Sequence, residues 1–100
     1  MSDRPTPASV LRASTTLGTH LANTRKLLRL TAQQVAERAD ISRGTLRRIE
    51  TGSASVSLEA VLKVARVLGI LGAIVAAADP FSTDVGRARA TEALPQRVRR

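Results

Sequence analysis

The chain holds no cysteine, tryptophan or tyrosine, and Phe81 is its one aromatic residue. Without cysteine there is no disulfide framework, no thiolate nucleophile and no zinc site of the Cys-containing kinds. Without aromatic rings, base stacking is nearly excluded, and with it the usual grip on single-stranded RNA or DNA. Acidic charge is scarce as well: eight Asp and Glu face sixteen Lys and Arg, for a net charge of +8. The longest uncharged apolar run, Val67 to Ala78, is twelve residues, short of the roughly 18–20 a membrane span needs. The first sixteen residues, with Pro5 and Pro7 among them, lack an apolar stretch of signal-peptide length. The expectation is a soluble, cytoplasmic protein with no membrane contact. What is present is 43% apolar, enough for one aliphatic core and too much for a disordered basic tail.

The aliphatic residues concentrate between Leu17 and Ala78. The sequence therefore predicts a mobile arm over 1–16, with at most a helical turn at Val10-Leu11-Arg12-Ala13, a folded unit over 17–79 and a basic tail over 80–100. Within the folded unit the apolar period is helical. Leu17, Leu21 and Leu28 draw one stripe, followed by Val35, Ala36 and Ala39, then Leu46 and Ile49, then Leu58, Val61, Leu62, Ala65 and Leu68. Boundaries are marked more sharply than faces. Thr31 precedes Gln34 in a capping box, with Leu30 and Val35 as a hydrophobic staple. Ser42 repeats the arrangement between Ile41 and Leu46, and Ser57 between Val56 and Val61. Gly52 and Gly69 fall where the third and fourth helices should stop in a left-handed residue. These signals predict an all-α bundle of five helices near 17–28, 32–39, 43–51, 58–68 and 70–78. In the tail, a short helix beginning near Thr83–Gly86 should end at or before Leu94, because Pro95 follows.

Only Asp40, Ile41 and Ser42 join the second and third helices. So short a connection prevents antiparallel packing and forces the wide crossing of a helix-turn-helix. The third helix then presents Arg43, Gly44, Arg47 and Arg48 away from Leu46 and Ile49. From Arg25 to Arg48 seven basic residues meet two acidic ones, a local charge of +5. Arginine suits base reading because its planar fork can hold guanine O6 and N7 together in the major groove.

The stretch from Leu30 to Gly52, LTAQQVAERADISRGTLRRIETG, resembles the helix-turn-helix signature of the XRE family, which includes lambdoid phage repressors and Cro. The resemblance extends through Arg25-Lys26 and over Ser57 to Gly69. It implies a compact bundle of lambda-repressor type and a DNA-binding transcriptional repressor. The whole chain, tail included, further resembles HipB-type antitoxins, which repress their own operon and bind a HipA-type kinase toxin. The alternative is a stand-alone regulator with no toxin partner. By resemblance, Arg43, Gly44 and Arg48 occupy base-reading positions, and Arg25 and Glu50 form a partly buried ion pair between the first helix and the end of the third. Two residues depart from the family pattern. Ala32 stands where a DNA-contacting Gln is usual, so either Gln33 takes over that contact or the contact is missing. Asp40 stands at the usual turn glycine, and it tolerates the left-handed conformation better than most residues.

The expected DNA-contacting set is Gln33, Ser42, Arg43, Gly44, Thr45, Arg47 and Arg48, with Ser42 mainly a cap. His20 has Asn23 and Thr24 at the spacings where a partner ligand would stand, so no metal site is expected. No phosphate loop or nucleophile–base pair is legible, so neither enzymatic activity nor a cofactor is expected. The segment Ile70 to Ala78 is apolar all round and too large to be covered by so small a core. Ile70, Leu71, Ile74 and Val75 are thus the expected interface of a two-fold homodimer, which would bring two reading helices to successive major grooves of a palindromic operator. The protein would join the nucleoid when bound to that operator.

Overall fold

The computed structural model describes residues 4–97; residues 1–3 and 98–100, the outer ends of the expected arm and tail, lie outside the described residues. Four helices form the bundle: α1 (Ala8–Leu27), α2 (Ala32–Ala39), α3 (Arg43–Glu50) and α4 (Leu58–Leu68). After them come α5 (Leu71–Ala77), a 3₁₀ turn (Pro80–Ser82) and α6 (Asp84–Arg97). No strand occurs among the described residues. The described residues form six α-helices, not five.

Local chemistry explains the helix ends. Thr31 Oγ1 accepts from Gln34 N while Gln34 Oε1 accepts from Thr31 N, a complete capping box. Ser42 Oγ accepts from Thr45 N, and Ser57 Oγ from Ala60 N. The C-termini share one device. Arg29, Asp40, Gly52 and Gly69 all have positive φ, and in each case the next residue's N–H returns to a carbonyl five residues back. Leu30 N reaches Arg25 O, Ile41 N reaches Ala36 O, Ser53 N reaches Arg48 O and Ile70 N reaches Ala65 O. These are Schellman closures. Asp40 thus does what the usual glycine does. Arg29 does so with a long side chain, at a backbone cost of about 1–2 kcal/mol.

The core is aliphatic and small: Leu21, Val35, Ala36, Ala39, Leu46, Ile49, Ala60, Val64 and Leu68. Leu30, Ile41, Val56, Val61 and Ile70, the residues beside the caps, pack around it. The faces differ from those the apolar stripes predict. Of Leu17, Leu21 and Leu28 only Leu21 is buried, and Leu58 on α4 is 72% exposed. The inward face of α1 is Ser14, Gly18, Leu21 and Arg25, because α1 lies against the backbone of α3. A Cβ on Gly18 would collide with the Ile49 carbonyl and stand 2.9 Å from the Glu50 carbonyl oxygen. That contact leaves no room for a leucine.

Two further expectations need correction. The expected arm over 1–16 is helical from Ala8, because Ser14 Oγ donates to Gly52 O at 2.8 Å and Thr15 packs on Gly52. The tail helix runs past Pro95 to Arg97 rather than ending at or before Leu94. This helix packs chiefly on the 3₁₀ turn and stands off the bundle. The radius of gyration is accordingly 16.7 Å, against about 13 Å for a compact chain of this length.

Candidate nucleic-acid interface

The direction in which α3 leaves the turn is set by the left-handed Asp40 (φ 57°, ψ 49°) and the extended Ser42 cap. Leu46 and Ile49 are buried beneath α3, so its opposite face is turned to solvent. At about 100° per residue, Gly44 lies at the centre of that outward face, with Arg47 and Arg48 on either side and Arg43 at the edge. All four are exposed, and Thr45 is half-buried beside them. Among the described residues the side chains of Arg47 and Arg48 make no hydrogen bond or ion pair, which leaves both forks open to an external acceptor.

Arg43 is positioned differently. Its Nη1 donates to Gln33 Oε1 at 2.9 Å, across the turn from α2. Gln33 Nε2 in turn donates to Glu37 Oε2 at 2.7 Å. The Glu37 carboxylate fixes which end of the Gln33 amide faces Arg43 and leaves the remaining guanidinium hydrogens of Arg43 pointing elsewhere. Nothing in the apolar pattern marks Glu37. Its only signal is the i,i+4 spacing from Gln33. Ser42 Oγ donates to Thr45 Oγ1 as well as capping the helix, so Ser42 is occupied structurally. Ala32, Arg43, Gly44, Leu46 and Arg47, with Arg25 and Glu50, border a hollow of about 310 Å³ between the start of α2 and the flank of α3. The hollow lies beside Ala32, the position at which the family pattern has a longer side chain.

Beneath this surface Arg25 and Glu50 tie α1 to the end of α3. Arg25 Nε donates to Glu50 Oε2 at 2.7 Å and Nη2 to Oε1 at 3.1 Å, while Nη1 donates to Leu30 O at 3.0 Å. The side chains are only 13% and 14% exposed. The hydrogen bond to Glu50 holds the Arg25 guanidinium above its ordinary pKa against the opposing effect of burial. Each of the three guanidinium nitrogens of Arg25 thus donates internally, which makes it a structural cation. Ile70, Leu71 and Ile74 are half-buried, and Val75 is 63% exposed. These four do not join the basic face. His20 is exposed, and no group of three potential metal ligands occurs among the described residues.

A capped helix pair joined by a three-residue turn, with arginines on the outer face of its second helix, defines a helix-turn-helix protein of the DNA-binding class. The family described as "Helix-turn-helix domain" matches residues 16–78, and the chain belongs to it. Comparisons with curated proteins and with solved structures find no match. No helix among the described residues is long and apolar enough to cross a membrane.

Proposed function

We propose that this protein is a sequence-specific transcriptional repressor that binds a palindromic double-stranded DNA operator as a two-fold dimer. The observation that carries the reading is the outward face of α3. Arg47 and Arg48 are open, Arg43 is braced by Gln33, and the N-terminal turn of α3 is free to enter a major groove, where the first residues of such a helix meet base edges. Gln33, Thr45, Arg43 and Arg47 are assigned phosphate or base contact, and Arg48 a base. Dimerisation is assigned to Ile70, Leu71, Ile74 and Val75. In support, no residue of α5 is buried in one chain, and an apolar helix left open normally marks an interface.

The test is selection of duplexes from a random pool, followed by titration against salt. Enrichment of an inverted repeat with half-sites about 34 Å apart, bound more tightly than random duplex, supports the reading. Equal affinity for every sequence refutes it. The narrower assignment, the autoregulating antitoxin of a HipA-type kinase operon, rests on resemblance and on α6, which stands off the bundle as a segment a protein partner could take. A kinase-like gene beside this one supports it. Its absence favours the stand-alone regulator.

A further inference from the structure

Two of the helical glycines, Gly18 and Gly86, are required by packing, because a Cβ at either meets backbone: the Glu50 carbonyl oxygen at 2.9 Å for Gly18, and the Pro80 carbonyl for Gly86. Gly44 is different. A Cβ there would find only Ser42 Oγ, at an ordinary 3.8 Å. Its φ is not in the left-handed region, so neither space nor backbone conformation asks for glycine. The fold would be better served by alanine, since glycine inside a helix loses more entropy on folding. Yet Gly44 occupies the centre of the one face of α3 that carries three arginines. The other helical glycine with open space around its Cβ is Gly72, in α5, on the surface assigned to the second copy. Both glycines that the fold leaves unexplained therefore lie where another molecule is expected to approach.

Resting on the DNA-binding reading, we infer that Gly44 sets the docking depth of α3: its bare Cα is the point at which the helix backbone meets the base edges of the major groove. The arginines on either side are long, and their forks reach base edges beside the helix only if the helix axis sits low in the groove. A side chain at the centre of the face would act as a spacer and lift all three arginines together. Gly44 is on this account a specificity-determining position that makes no polar contact of its own. The hollow beside it, which Arg25 and Glu50 line together with Ala32, Arg43, Leu46 and Arg47, lies on one flank of α3, so no side chain fills the space on that side of Gly44.

The test uses the full chain and its Gly44→Ala and Gly44→Ser variants, measured on the selected operator and on random duplex at one salt concentration, with melting curves for each protein. For Gly44→Ala we expect a melting temperature higher by about 2–5 °C, operator affinity lower by about 10-fold or more, and affinity for random duplex within about two-fold of the parent, because phosphate contacts dominate there. Gly44→Ser should lose at least as much operator affinity. Operator affinity that is unchanged or tighter in Gly44→Ala overturns the inference, as does an equal loss on both duplexes. A clear fall in melting temperature would also overturn it, since the fold would then need the glycine. A parent protein that selects no sequence at all defeats the DNA-binding reading itself, an outcome distinct from a selecting parent whose Gly44→Ala variant binds equally well.

Discussion

The bundle α1–α4 and the C-terminal pair α5 and α6 are built from similarly helical sequence but close their surfaces in opposite ways. In the bundle, α2, α3 and α4 each begin at a side-chain cap, and all four helices end in the same left-handed closure. Each of the four also contributes to one core. By contrast, α5 has no side-chain cap and no buried residue, and α6 rests on a three-residue turn. The more apolar segment is thus the less buried one. Apolarity alone does not determine burial; what matters is whether the chain can bring a second apolar face to meet it. The bundle satisfies itself, while the C-terminal pair offers surface.

That contrast is open to attack from both sides. The largest effect should come from Glu50→Ala, which leaves Arg25 nearly buried with a carbonyl as its only remaining partner. Breaking such a pair costs about 3–5 kcal/mol when burial is complete, and the slight exposure here places the expectation near the lower end. A thermal melt would show it as a fall of more than about 10 °C, whereas a surface pair would give about 0–1 kcal/mol. Next is Gly18→Ala, whose methyl must push α1 away from the α3 carbonyls. The expected loss is about 1–3 kcal/mol, read from urea unfolding as a lower midpoint with an unchanged slope. Ser57→Ala, which removes the α4 cap, should cost about 1 kcal/mol by the same assay.

Ending the chain at Asp79 should have the smallest effect on the bundle. Melting should shift by less than about 0.5 kcal/mol, and a larger loss would show that α6 belongs to the core. The same truncation sharpens the functional side of the comparison. If the tail grips DNA, the slope of log K against log salt becomes shallower by about 0.9 for every phosphate that the tail neutralises. If it serves a protein partner, the slope stays as it was.

The two halves are not equally legible. Thr31, Ser42 and Ser57 place α2 and α4 to the residue and α3 to within one, because hydroxyl caps and staples are local chemistry that needs no tertiary context. Gly52, Gly69 and the tolerant Asp40 mark three closures for the same reason, while the fourth, at Arg29, has no residue-type signal. The first half of α1 escapes a reading by pattern because its packing face consists of Ser14 and Gly18, and apolar periodicity cannot see a face made of small residues. The same periodicity assigns Leu17, Leu28 and Leu58 inward, and all three point out. On the reading surface, the arginines of α3 can be named from their order along one helix. The bridge from Gln33 to Arg43 spans two helices and follows only from how they meet, whereas its brace by Glu37 is an i,i+4 contact within α2.

The sequence by itself determined where α2, α3 and α4 start and stop to within a residue, that the bundle is helical throughout, and that a short basic helix follows a tight turn. Each of these is decided within about five residues by hydrogen bonds to caps, by left-handed closures and by the 3.6-residue period. Only the tertiary structure decided which faces close, that Arg25 holds Leu30 O as well as the Glu50 that the resemblance pairs it with, and that Gly44, unlike Gly18, stands bare for no reason internal to the chain. Those outcomes depend on how near two helix backbones come to each other. That distance is set by the packing of α1 on α3 and of α2 on α4, which no single segment carries.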